Sequence, residues 1–317
     1  MNFLDKARIG KTDIHVTRLG LGCSGLARSR TVEQAAETFR TAMAQGINYI
    51  DTAPLYGLGS SEERLGRVLP EFDRSHIVIS TKIGRTLCNR KRFGGGSSVE
   101  LIYDYTRDGV RESLEGSLER MGVDFVNILF IHGPDSHYGP AIENAYPALA
   151  ELRDDGVVKA IGAGMNQWEM ELKFAQEGEF DCFLLANRYT LLEQGAITEF
   201  LPYCKKNDIS VIIGGPYNSG VLANPGEGRY EYRAAPSEIV DRTLRLKGIC
   251  EKYGVPLRAA ALQFVLAHPA VASVIPGTKS PEHQEDNFRM IDHPIPADLW
   301  GELREEQLIR PEAPTPR

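Results

Sequence analysis

Long apolar runs are missing from this chain. None approaches the ~20 residues that a membrane-spanning helix needs, so no membrane partner is expected. The opening "MNFLDKARIG" shows no positive start followed by an apolar segment, and no secretion signal is expected either. Cysteine is sparse: Cys23, Cys88, Cys182, Cys204 and Cys250 are scattered, with no C-x-x-C. That spacing argues against a zinc knuckle or a disulfide frame and points to a reducing, cytoplasmic compartment. Positive charge forms no stripe. The one Lys/Arg block is "NRKRF" at 89–93, and the net charge of −7 is spread along the chain. No nucleic-acid partner is expected on that pattern, and the charge reads as solubility.

What is present is ordinary globular material: 317 residues, 42% apolar and 25% charged. Strand-like apolar runs fall at 16–22, 48–52, 76–84, 125–132, 157–164, 180–188, 209–215 and 271–277, with amphipathic stretches between them such as 31–45, 104–121, 141–155, 194–207 and 237–253. Thr31 with Gln34, and Ser60 with Glu63, have the spacing of capping boxes. Gly46, Gly122 and Gly156 stand where left-handed C-caps would stop helices. Eight strand–helix units, several with strands apolar on both faces, predict one α/β domain over 1–317, a closed (β/α)8 TIM barrel. Residues 8–16, with "GKTD" as the turn, are expected to form a hairpin lid over the N-terminal end of the barrel. The stretches 86–100 and 217–236 show no regular pattern and read as functional loops, while 308–317 reads as a loose tail.

"GLGCSG" at 20–25 matches G-x-G-x-x-G, and Asp51 lies about 26 residues on. A dinucleotide fingerprint needs its helix to start at the third glycine. Here "LARSR" intervenes before Thr31, so a tight turn at a barrel mouth is the better reading.

Chemistry in parallel barrels collects at the C-terminal ends of strands. The second strand there offers Asp51 and then Tyr56, the third Lys82 inside "VISTKIG", the fourth His132 in "FIHGPD". Singly, Asp51 could cap a turn, Lys82 could sit in a structural ion pair, and His132 could be a core histidine. Together they suit proton transfer to or from an oxygen. A free phenol titrates near ~10, a lysine cation favours phenolate, and a carboxylate holds that lysine charged. A histidine can align the same oxygen. Such a reaction at a carbinol carbon also needs a hydride acceptor, for which a nicotinamide is usual. "HGPDSHYG" would allow a metal hydrolase reading, but no second histidine cluster accompanies it, and no metal is expected.

From "RLGLGCSGL" to "PGTKSPEHQEDN" the chain resembles the aldo-keto reductases, through "GINYIDTAPLYGLGSSEERLGR", "STKIGR", "DFVNILFIHGPD" and "VKAIGAGMN". The resemblance implies a catalytic tetrad of Asp51, Tyr56, Lys82 and His132. It puts Met165, Asn166 and Asn187 at the nicotinamide carboxamide, with Gly214, Pro216, Tyr217, Asn218 and Ser219 beside the cofactor. Gly277, Thr278, Lys279, His283, Asp286 and Asn287 fall at its adenosine half. Gly214 stands where many members carry a stacking aromatic ring, and Tyr217 could supply one instead. "LLANRYTLLEQ" and "GGPYNSGVLA" resemble a branch of sugar 1-dehydrogenases that includes relatives acting on pyridoxal. The resemblance implies oxidation of a fucose- or galactose-type aldose at its hemiacetal carbon, or of pyridoxal by the same step. Carbonyl reduction, or a cofactor-binding regulatory role, are the alternatives. Asp135, His137, Tyr138, Tyr230 and Tyr232 are expected at the substrate, although the tyrosines could equally only pack their loops. NAD is expected over NADP, because Gly277 and His283 stand where NADP-selective members carry cations, with Lys279 the one substitute.

Overall fold

The structure, a computed structural model, describes residues 4–89 and 99–316. Eight parallel strands follow one another around a barrel: β1 (Leu21–Gly22), β2 (Tyr49–Asp51), β3 (Val78–Ile83), β4 (Ile128–His132), β5 (Ala160–Met165), β6 (Cys182–Ala186), β7 (Ser210–Gly214) and β8 (Val271–Ile275). Each pairs with the strand before it in chain order. Parallel bridges Leu19–Val274 and Gly22–Gly277 bring the first strand back against the last. This is the expected (β/α)8 barrel. The third glycine of "GLGCSG" belongs to that seam: a Cβ on Gly25 would lie 2.2 Å from the Thr278 carbonyl oxygen. Residues Cys23–Arg28 form a short 3-10 turn.

Helices surround the barrel: α1 (Val32–Ala44), α2 (Ser60–Val68), α3 (Arg107–Met121), α4 (Tyr146–Asp154), α5 (Trp168–Glu177), α6 (Phe200–Lys206), α7 (Ser237–Lys252), α8 (Leu257–Leu266), α9 (Pro281–Ile291) and α10 (Ala297–Glu305). Thr31 caps α1 by accepting from the Gln34 amide, and Gly46, Gly122 and Gly156 all take left-handed φ. Ser60 is not a cap. Helix α2 begins one residue earlier than a Ser60 cap allows, after Gly59 at φ +88°, so Ser60 sits in the first turn.

The N-terminal hairpin pairs Lys6–Arg8 with His15–Thr17 and plugs the barrel's N-terminal end. The Gly10 amide donates to Ser210 Oγ at the start of β7 (2.8 Å), which in turn donates to the Arg8 carbonyl (2.9 Å). Ile9, Ile14 and Val16 pack inside the barrel against Tyr49, Phe130 and Ile212. Burying three such side chains contributes on the order of 5–9 kcal/mol. That matches the net stability of a typical domain, so the plug is integral to the fold.

Two stretches differ from their expectation. Arg85–Asn89 pairs antiparallel with Val99–Tyr103, so the ends of the 86–100 stretch form a hairpin rising from the β3 end. The rest of that stretch, with most of "NRKRF", lies outside the described residues. The chain beyond Leu308 is packed rather than loose. Leu308, Ile309 and Ala313 are buried, Gln194 accepts from the Arg310 amide (2.7 Å), and Arg304 donates to the Ala313 carbonyl (3.0 Å). Among the described residues no helix is long and apolar enough to cross a membrane.

Candidate active site

Side chains alternate along a strand, so every second residue faces the barrel interior. On β3 this turns Ser80 and Lys82 inward, while Thr81 faces out and donates to Glu62 of α2 (2.7 Å). Asp51 ends β2 and His132 ends β4, both on the inward set. The chain then reverses sharply after β2, with Gly57, Leu58 and Gly59 all at positive φ. This turn sets Tyr56 over the barrel mouth.

Lys82 Nζ lies 2.8 Å from both Asp51 carboxylate oxygens and 2.8 Å from the Thr52 carbonyl, so all three of its protons have acceptors. Ser80 Oγ donates to Asp51 Oδ1 (2.8 Å). The side chains of Lys82 and Asp51 are only 2% and 3% exposed. Burial pulls the Lys82 ammonium down, but Asp51, the Tyr56 oxygen and their hydrogen bonds outweigh it and hold the group above its ordinary value. Nζ stands 4.8 Å from the Tyr56 ring centre. Burial pushes the Tyr56 phenol up to about 12, against the downward pull of Lys82. The expected effect of Lys82 is therefore present but does not prevail, and the resting group is a neutral proton donor. His132 meets Tyr56 edge to face at 6.0 Å. Burial, then the Lys82 and Arg85 cations, push its imidazole well below its ordinary value, and its buried Nδ1 has no partner among the described residues.

These four residues line one cavity of about 860 Å³, within the ~300–1,000 Å³ typical of ligand sites. Asp135, Met165, Asn166, Asn187, Gly214, Pro216, Tyr217, Ser219, Tyr232, Gly277, His283, Asp286 and Asn287 line it too. Asn218 and Thr278 sit behind the wall. Asn218 Nδ2 donates to the Asn187 carbonyl (2.9 Å), and Thr278 Oγ1 accepts from Asn287 (3.1 Å). Lys279, His137, Tyr138 and Tyr230 lie outside the cavity lining. His137 stacks on Tyr103 at 4.6 Å, Tyr138 packs on Phe174 at 4.6 Å, and Tyr230 hydrogen-bonds Glu193. The cavity also holds residues that the sequence reading did not single out: Arg28, Arg85, Arg188, Arg229, Glu231 and Arg258. The "STKIGR" motif contained Arg85, but nothing in its pattern showed which way it would point.

Residues 18–307 match the Aldo/keto reductase family. The chain belongs to that family. It is 39% identical to D-threo-aldose 1-dehydrogenase of a Pseudomonas species over 95% of this chain and 96% of the relative. It is 36% identical to pyridoxal 4-dehydrogenase of Microbacterium luteolum over 96% of this chain and 98% of the relative. Among solved structures, an aldo-keto reductase from Bacillus halodurans in its holo form superposes with a TM-score of 0.77 at 25% identity, covering 95% of each chain. This aldo-keto reductase is accordingly an NAD(P)-dependent oxidoreductase.

The residues present fit such a cofactor. Asn187 takes a left-handed φ of +61° and turns its amide into the cavity. Its Nδ2 donates to the Tyr232 hydroxyl (3.1 Å), while its buried Oδ1 has no donor among the described residues. A carboxamide N–H would supply the donor that Oδ1 lacks, and its oxygen could accept the second Nδ2 proton. Gly215 at φ +56° keeps the approach open, since a Cβ there would stand 2.4 Å from the same oxygen. At the other end Tyr217 donates to Asn287 Oδ1 (2.9 Å), and Asp286 is paired with Arg258 and with Arg289 (3.3 Å).

Proposed function

We propose that this enzyme oxidises the hemiacetal carbon of a cyclic aldose of fucose or galactose type to the lactone, with NAD as acceptor. The observation that carries the reading is the buried Asp51–Lys82 pair beside Tyr56 at the mouth of the cavity. The substrate class rests on the D-threo-aldose 1-dehydrogenase relative. A second substrate, the cyclic hemiacetal of pyridoxal, is favoured by the pyridoxal 4-dehydrogenase relative and would give a lactone by the same step.

When bound, the nicotinamide supplies the hydride acceptor. Asn166 and Asn187 would hold its carboxamide, and Thr278, Asp286 and Asn287 would support the adenosine half. Tyr56, having first released its own proton to solvent, receives as phenolate the proton of the anomeric hydroxyl while the carbon gives up its hydrogen with both electrons, leaving a carbonyl. Lys82 stabilises the phenolate that must be present before this transfer, Asp51 fixes Lys82, and neutral His132 holds the reacting oxygen. At pH 7 a phenol at about 12 is ionised in roughly one part in 10⁵, so only that fraction stands ready to accept a proton. Oxidation should therefore speed up as pH rises. In reverse, the same neutral phenol protonates a carbonyl.

Following nicotinamide absorbance with L-fucose, L-galactose, D-arabinose and pyridoxal tests the reading. Turnover of at least one of them, lost in Tyr56→Phe with cofactor affinity kept, supports it. Tight cofactor binding with no turnover of any of them refutes it.

A further inference from the structure

Arg85 follows the strand that carries Lys82, at the foot of the hairpin running up to Tyr103. Its side chain is 23% exposed and lines the cavity that holds Tyr56 and His132. The fold makes room for it. Gly133, the residue after His132, takes φ +50°, and a Cβ there would stand 2.2 Å from Arg85 Nη2. That nitrogen donates to the Gly133 carbonyl (3.1 Å) and reaches Asp135 Oδ2 only at 3.5 Å. The guanidinium lies 5.5 Å over the Tyr103 ring, which stacks on His137. Among the described residues, Arg85 Nε is buried without a partner.

A guanidinium placed only to clamp the hairpin would have its buried donors satisfied, because an unpaired buried N–H is destabilising. This one is fixed through Nη2, bonded to the Tyr105 side chain and paired at long range with a carboxylate. Yet it keeps one buried donor, Nε, without a partner among the described residues, and it lines the cavity that holds Tyr56 and His132. Asp135 keeps acceptor capacity for the same reason. A donor fork next to a carboxylate suits a hydroxyl or an oxyanion.

We propose that Arg85, steadied by Gly133, Asp135 and Tyr103, is a specificity-determining residue that takes a substrate oxygen close to the reacting carbon. In an aldose this is the 2-hydroxyl, which Asp135 also accepts from. In pyridoxal it is the 3-oxygen. The inference rests on the proposed function and names the feature that the site selects.

The test uses two matched pairs, L-galactose with 2-deoxy-L-galactose and pyridoxal with 3-deoxypyridoxal. kcat/KM is measured with NAD, and affinity is measured by calorimetry on enzyme loaded with NADH. Wild type should favour the oxygenated member of one pair at least tenfold in both readouts, and the responding pair identifies the substrate. Arg85→Met should bring that ratio to within about threefold of one, with cofactor affinity kept, and Arg85→Lys should keep part of it. Arg85→Lys alone decides the matter if the Met variant does not fold, since charge without the fork must lose part of the ratio. Turnover without discrimination in wild type, or a ratio unmoved in a folded variant, overturns the role of Arg85 and leaves the proposed reaction standing. No turnover of either pair overturns the reaction, and equal binding of both members overturns Arg85 independently.

Discussion

Removing Lys82 while keeping Asp51 should harm stability and rate by separable amounts. In Lys82→Met the Asp51 carboxylate stays buried and keeps Ser80 Oγ as its partner. Breaking one side of a buried ion pair costs about 3–5 kcal/mol. In a chain of this size that lowers Tm by roughly 5–10 °C. Lys82 has a raised folded pKa, so its contribution is fully present below about 10.5 and is lost only as pH rises through the folded value. A melt at pH 7.5 therefore reads all of it. Asp51→Asn/Lys82→Met should recover at least half of the loss, because no charge is then left unpaired. For rate, a cation 4.8 Å from the phenol ring at an effective dielectric of ~20 is worth about 3 kcal/mol of phenolate stabilisation. Loss of that term should lower kcat/KM for oxidation roughly 100-fold at any pH below the phenol's own value. Calorimetry and pH–rate profiles on the three proteins measure both effects. A folded Lys82→Met enzyme with wild-type Tm, or with an unchanged profile and rate, would refute the reasoning.

Tyr56→Phe deletes the proton acceptor and little else, so kcat should fall by ~10²–10⁴ with cofactor affinity unchanged, and retention of most kcat would remove Tyr56 from its role. Burial holds both His132 and His268 below their ordinary value, His268 at about 4, while His268 Nδ1 accepts from the Ala270 amide. The unfolded chain then binds protons that the folded one refuses, so stability should be full above about 6.5 and fall as pH drops toward 4. Urea midpoints at pH 7.5 and pH 5 check this, with a smaller difference expected in His268→Gln and equal wild-type midpoints contradicting it. NAD should be preferred over NADP. Lys279 is outside the cavity lining and Arg258 is committed to Asp286, so Arg28→Ala should reduce residual NADP use more than NAD use. A wild-type preference for NADP of tenfold or more would sink that argument.

The barrel was legible because its signals are local and repeated. Apolar runs bounded by glycine mark strands, and Thr31 with Gln34 marks a helix start. Lys82 was legible because an ammonium within "VISTKIG" has few ways to be satisfied. Features set by distant backbone were not legible. Gly59 could take the left-handed turn that displaced Ser60 from the cap position, and nothing near Ser60 announces it. Glu231 and Tyr232 turn a tight hairpin with positive φ, where Asn-Gly would have been the recognisable pair. Leu308 and Ile309 sit in a Pro-rich, charged end whose apolar content is too short to show a period, yet they fill a groove beside Gln194 and Arg242. For Tyr56 the sequence named the downward pull of Lys82 but not the burial that outweighs it.

The seam between the first and last strands has a consequence for how the protein is made. Leu19 and Gly22 find their pairing partners at Val274 and Gly277, some 255 residues later in synthesis. Until those residues leave the ribosome, the first strand keeps an unpaired edge, and such edges invite pairing with other chains. The nascent chain must therefore guard that edge for most of its synthesis. The edge is short, two residues of regular strand in Leu21–Gly22, and glycine-rich around "RLGLG". An edge so brief offers a poor template to a foreign strand, so the sequence that closes the barrel also protects it while it is still open.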